Sequence, residues 1–179
     1  MILSFSDYRD GVEIEARTCA VYDVAHNDAR FGPARIDGHA LVWELADAAS
    51  PDARLTAELD VAVGNDWLLR CDRVDFPPGG VAYEHTHPGP GIRCLLFGAI
   101  RIESRGKTHE YAPFEPWYEP GPEPVFAAAD EDEPSAFVRV LVLPHAWEGK
   151  RTIRYVDPAD ENKPKLQRAT VFFERPIRS

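Results

Sequence analysis

Cysteine is scarce and scattered. Only Cys19, Cys71 and Cys94 occur among 179 residues, too few for a disulfide framework, and no two form the close pair of a zinc knuckle or dithiol motif. They read as reduced core residues. Long apolar runs are missing too: no stretch of about eighteen apolar residues is present to span a bilayer. The N-terminal MILSFSDYRD carries acidic and basic residues where a signal peptide needs an apolar stretch. The expectation is a cytoplasmic protein with no membrane partner. Basic charge is in deficit, with 20 Lys and Arg against 30 Asp and Glu and a formal net charge of −10. That balance opposes polyanion binding, because nucleic-acid affinity rests largely on Lys and Arg neutralising phosphates. A small-molecule ligand is expected, and no nucleic acid. There is also no Gly-rich phosphate loop, no GxSxG elbow and no Cys placed beside a base, so nucleophilic catalysis is unsupported.

What the chain does have is short apolar stretches between turn residues: TCAVYDV, HALVWEL, LTAELDVAV, DWLLRCDRVDF, GIRCLLFGAIRI, FVRVLVL and ATVFFE, punctuated by 16 prolines and 12 glycines. This is the rhythm of an all-β sandwich or barrel. Helical signal is weak, since ADAASPDARLTAEL is interrupted by Pro51, and few or no helices are expected. The length suits one domain, divided into N-terminal strands over 1–65, a core barrel over about 66–144 and a C-terminal tail over 145–179. No internal repeat is seen. From Trp147 to Ser179 the balance reverses, with eight Lys and Arg against five Asp and Glu. That tail either docks on an acidic surface, of its own barrel or of a second subunit, or is solvated. Its apolar strand, Ala169 to Glu174, suits a sheet edge and leads us to expect a homodimer.

The most informative segment is PPGGVAYEHTHPGPGIRCLLFGAIRI, from Pro77 to Ile102, with His85 and His87 two residues apart. On a strand, i and i+2 share a face, so both imidazoles point the same way. Neutral imidazole nitrogen is a favoured ligand for zinc, iron, nickel, copper or manganese. A bare His-x-His also arises in packing or on solvated faces, so the surroundings decide.

Those surroundings resemble the first motif of the cupin superfamily: Gly, five residues, His-x-His, three or four residues, Glu, six residues and Gly. Gly79, His85, His87 and Gly98 keep the spacing, while Gly91, in the turn Pro88-Gly89-Pro90-Gly91, occupies the glutamate position. The second motif is Gly, five residues, Pro-x-Gly, two residues, His, three residues and Asn. Its place, GKTHEYAPFEPWYEPGPEPVFAAA, matches poorly. With Gly121 as the motif glycine, the histidine falls at Pro124 and the asparagine at Ala128; a shift of one puts Val125 at the histidine. The GPGIR run is similar to a subgroup of single-domain bacterial cupins of unassigned role. The resemblance covers roughly Asp66 to Pro144 and implies a double-stranded β-helix, or jelly-roll barrel, with two of the four usual metal ligands.

Two imidazoles alone hold a metal poorly, so a third ligand is expected. Glu119, in PWYEPG, is the first choice; His109 and Glu84 are weaker, Glu84 having the opposite strand parity to His85. If the family's glutamate position faces inward, Gly91, Arg93, Leu95 and Phe97 share that orientation, and Ile92, Cys94 and Leu96 face the other way. Arg93 then enters the pocket, where its guanidinium suits a carboxylate substrate or an internal ion pair with Glu119. The two readings compete for one carboxylate. Tyr83 and Trp117 are the candidate aromatic walls of the substrate cavity, core packing being the alternative for either. His26, His39 and His145 lie outside the motif. The implied function is a metal-dependent enzyme, with Zn, Fe, Ni or Mn, acting on a small anionic organic molecule inside the barrel. Oxygenase, isomerase and lyase activities all stay open. The alternatives are a non-catalytic binding or sensing module and a barrel whose task is subunit assembly.

Overall fold

The computed structural model describes residues 1–61 and 67–177. Their N-terminal part forms β1 (Ile2–Tyr8), β2 (Val12–Ile14), β3 (Cys19–Asp23), β4 (Asp28–Phe31), β5 (Ala34–Ile36), β6 (Ala40–Ala46) and β7 (Leu55–Glu58). Eight strands follow: β8 (Trp67–Phe76), β9 (Val81–Thr86), β10 (Gly91–Phe97), β11 (Ile100–Ser104), β12 (Lys107–Tyr111), β13 (Pro116–Glu119), β14 (Val125–Ala129) and β15 (Ser135–Pro144). The chain ends with β16 (Arg154–Tyr155) and β17 (Arg168–Pro176). Among the described residues the only helices are the 3₁₀ turns His145–Trp147 and Pro158–Asn162, and none is long and apolar enough to cross a membrane. Asp66, the expected first barrel residue, and Ser179 lie outside the described residues; the barrel strands run from Trp67 to Pro144.

The eight central strands make two antiparallel sheets, ordered β13-β10-β15-β8 and β12-β11-β14-β9. The first strand of the eight lies beside the last and the second beside the seventh. This is the strand order of the jelly roll, the architecture that the motif resemblance implied. Five of the seven N-terminal strands form a separate sheet, β4-β3-β6-β1-β7, while β2 pairs with β5; the five-stranded sheet packs against the outside of the sheet containing β8, β10 and β15. Leu3, Phe5, Tyr22, Leu41 and Trp43 share one buried cluster with Leu69, Ile92, Cys94, Val138 and Val140, and Trp43 Nε1 donates to the Ile92 carbonyl at 3.1 Å. Covered on both faces, β15 reads SAFVRVLVLP, buried along almost its whole length. Each large side chain so buried contributes about 1.5–3 kcal/mol relative to exposure.

The tail docks on its own barrel. β16 pairs with β9 and β17 with β8, extending each barrel sheet to five strands. Two irregularities in the barrel change which side chains face inward. β9 slips register between Ala82 and His85 against β14, and β10 slips between Leu95 and Phe97 against β15. Such bulges break the strict alternation of a strand.

Candidate functional site

The inward faces of the two sheets enclose a cavity of about 400 Å³. From β9 come His85 and His87, each only 4% exposed. Both rings are oriented by backbone: the Tyr83 carbonyl lies 2.6 Å from His85 Nδ1, and the Thr152 carbonyl, contributed by the tail, 3.0 Å from His87 Nδ1. A carbonyl only accepts, so each Nδ1 carries the hydrogen and each Nε2 of a neutral ring is a bare lone pair. Those two Nε2 atoms are 3.2 Å apart. Burial depresses both pKa values, that of His87 far below the ordinary value with Arg139 and Arg93 adding to the effect; for His85 the Tyr83 carbonyl and Glu119 offset part of the burial. At neutral pH two unprotonated nitrogens therefore face one another, and neither can donate to the other.

Facing the imidazoles is a carboxylate. Glu119, at the end of β13, has Oε1 held by Trp117 Nε1 at 2.8 Å, and its Oε2 lies 2.7 Å from Arg93 Nη2 and 3.6 Å from His87 Nε2. Neither Glu119 Oε2 nor Arg93 Nη2 makes a directed hydrogen bond, so their contact is a charge contact off the donor axis. Arg93 is 1% exposed and donates from Nη1 to the Gly91 carbonyl at 2.6 Å. Desolvation brings its pKa down to about 10, with Glu119 opposing the shift; the guanidinium stays charged at neutral pH. Among the described residues no three His, Cys, Asp or Glu side chains come together as a complete metal cage. Glu119 Oε2 lies nearer Arg93 than His87.

A second charged cluster adjoins the first. Asp72, wholly buried, accepts from Arg139 Nε at 2.6 Å and from Arg70 Nε at 2.7 Å. Arg139 Nη2 reaches Thr152 Oγ1 at 3.3 Å, and Arg70 Nη1 binds the Lys150 carbonyl and Glu174. Arg93 and Arg139 stand directly opposite on β10 and β15. Like charges so paired repel, and each is answered by a carboxylate, Arg93 by Glu119 and Arg139 by Asp72.

The sequence-derived candidates divide accordingly. His85, His87, Arg93, Trp117 and Glu119 all line the cavity. Tyr83 does not: the β9 bulge removes it from the face it was expected to share with His85, and its ring lies under Lys163. Phe97 is likewise turned out by the β10 bulge, 41% exposed and beside Arg73. Glu84 is exposed as its parity implied, and His109 is exposed on β12, 3.3 Å from Glu115. All three cysteines are free and buried. Arg70, Asp72, Arg139 and Thr152 were missed. For Arg139 the available signal was a lone charge within an otherwise apolar strand, SAFVRVLVLP.

The depressed histidines make stability pH-dependent in EDTA-treated protein. Above pH 6.5 the rings are neutral in both native and unfolded chains and contribute no slope. Below it the unfolded chain takes up protons that the native chain resists, so stability falls with pH until the native rings protonate, by up to about 1.4 kcal/mol per pH unit per ring. Urea unfolding at pH 7.5 and 5.5 should show a smaller loss for His87→Gln than for the wild type.

No protein-family model matches the sequence. No curated protein matches it either. Solved structures do. The polyketide cyclase RemF from Streptomyces resistomycificus is 20% identical, over 52% of this chain and 63% of that one, with a TM-score of 0.41. The DMSP lyase DddQ from Ruegeria pomeroyi DSS-3 is 20% identical, over 50% of this chain and 44% of that one, at 0.44. A cupin superfamily protein from Desulfitobacterium hafniense DCB-2 is 13% identical, over 48% of this chain and 84% of that one, at 0.37. The match spans less than two-thirds of the first two chains. The strand order makes this chain a jelly-roll barrel, with the His-x-His pair facing its interior. The likeness is one of fold, and no activity travels with it.

Proposed function

We propose that the barrel is a metal-dependent enzyme acting on a small organic anion, with His85 and His87 as metal ligands and Glu119 as the third. The observation that carries this reading is the pair of bare Nε2 lone pairs 3.2 Å apart, both rings locked in one tautomer by backbone carbonyls. Two nitrogens bound at about 2.0–2.1 Å to one ion stand about 3.0–3.4 Å apart, so the donor spacing fits. Glu119 pairs directly across β10·β13 with Gly91, the residue at the resemblance's glutamate position. A Cβ on Gly91 would meet the Val140 carbonyl at 2.3 Å, so only the neighbouring strand has room to supply a carboxylate there.

A bound divalent ion would supply Lewis-acid chemistry, polarising an oxygen of the ligand. The chain's own groups do the rest. Arg93 and Arg139 attract and orient the ligand's anionic group, the backbone carbonyls hold both imidazoles in the metal-binding tautomer, and the tail segment around Thr152 closes over the polar end and limits water. A second reading, anion binding without metal, is favoured by Arg93 Nη2, a buried donor that makes no directed hydrogen bond within the protein. Metal analysis separates them. Untagged protein should carry close to one equivalent per chain, and His85→Ala/His87→Ala should lose it while keeping its circular dichroism. Metal-free wild-type protein that takes up no Zn²⁺, Fe²⁺, Ni²⁺ or Mn²⁺ would leave only the second reading.

A further inference from the structure

The register of the strands sorts the cavity into two layers. At one level Arg93 pairs with Arg139 and Arg139 with Asp72, and His85 faces them from β9. One step along every strand the character changes. Leu95 pairs with Phe137, Phe137 with Val74, Ala127 with Ala82 and Ile102 with Ala127, and these side chains belong to a single buried apolar cluster that includes Phe76 and Trp117. Most of them line the cavity. The paired alanines are small and leave room between the aromatic walls.

The apolar layer has no uncommitted cation among the described residues, and the one side-chain amide on the cavity lining, Gln167, is neutral. Trp117 Nε1 is committed to Glu119, and the cations on the tail that reach the cavity are committed as well, Arg151 to Glu161 and Lys165 to the Asp160 carbonyl. An anionic group placed in that layer would lose its hydration and gain no charged partner.

We infer that the cavity's ligand is an organic acid with an apolar body, its carboxylate against the Arg93–Arg139–His85 layer and its body among Phe76, Phe137, Trp117 and Ile102. The inference deepens the anion-binding reading above and rests on it. A dicarboxylate of the same length is disfavoured because its far end would lie in the apolar layer. A body of phenyl size suits a chamber whose walls are aromatic and branched.

Isothermal titration of the metal-loaded wild type with acetate, succinate and benzoate tests it. Benzoate should bind about tenfold or more tighter than acetate or succinate, the gain coming from apolar burial. Ala127→Leu, which fills the chamber, should remove most of the benzoate advantage while acetate still binds; Ala82→Val serves if that variant does not fold. Succinate binding as tightly as benzoate would overturn the inference and leave the anion reading standing, as would equal weakening of acetate and benzoate in the filled variants. Failure of all three acids to bind would overturn both.

Discussion

Asp72→Asn is expected to lower the unfolding free energy by about 3–5 kcal/mol, the usual consequence of removing one partner from a buried ion pair. Asp72 has no exposed surface and answers two guanidinium groups, Arg70 and Arg139, both at least nine-tenths buried. An amide in its place cancels the negative charge and leaves two desolvated cations side by side, with Glu174 reaching only Arg70. Asp75→Asn is the matched control three residues along the same strand. Its partner Arg73 is the nearest cation, but the carboxylate is 41% exposed, so solvent replaces what is lost and the change should stay within about 1 kcal/mol. Urea unfolding of the two variants in parallel gives the comparison. Equal effects would mean that water reaches Asp72. The cluster's role extends beyond stability, because Arg139 holds Thr152 and the Thr152 carbonyl orients His87.

Local pattern carried the elements and half the site. The His-x-His step needs only the two-residue period of a strand, and Arg93 was placed inward by the same parity. The period failed where an extra residue enters one strand of a pair: the β9 bulge separates Tyr83 from His85 and the β10 bulge turns out Phe97. Nothing in YEHTH or CLLFG marks those bulges, because they arise from how each strand meets its partner. The proposed third ligand depends on the same kind of non-local fact. Glu119 stands opposite Gly91 only through the β10·β13 register. Arg139 and Asp72 were hidden differently. Arg139 is the lone charge of an otherwise apolar strand, whereas Asp72 is one of four charged residues in β8, and nothing local separates the inward-facing ones from the rest. The tail was undecidable from charge balance alone; pairing with β8 and β9 across more than sixty residues of chain determines its place.

Removing Arg93 should tighten metal binding, and it should do so only through Glu119. The carboxylate oxygen that faces the imidazoles is 2.7 Å from Arg93 and 3.6 Å from His87, and it cannot fully serve a guanidinium and a metal at once. Because Trp117 holds the other oxygen, the group can turn about that anchor with little displacement of β13. In Arg93→Met, Zn²⁺ should bind about tenfold or more tightly than in the wild type, equivalent to about 1.4 kcal/mol. Loss of a nearby positive charge would favour the cation by itself, so Arg93→Met must also be made in a Glu119→Gln background. A contest for the carboxylate predicts that the gain shrinks there to about threefold or less, a coupling that a double-mutant cycle reads directly. An undiminished gain would make the effect one of charge alone and remove Glu119 from the ligand set. Thermal unfolding supplies a second readout. Without metal, Arg93→Met leaves a nearly buried carboxylate unpaired and should be destabilised. Added Zn²⁺ should then restore more stability to this variant than to the wild type, because a ligand stabilises the native state in proportion to the logarithm of its concentration over Kd.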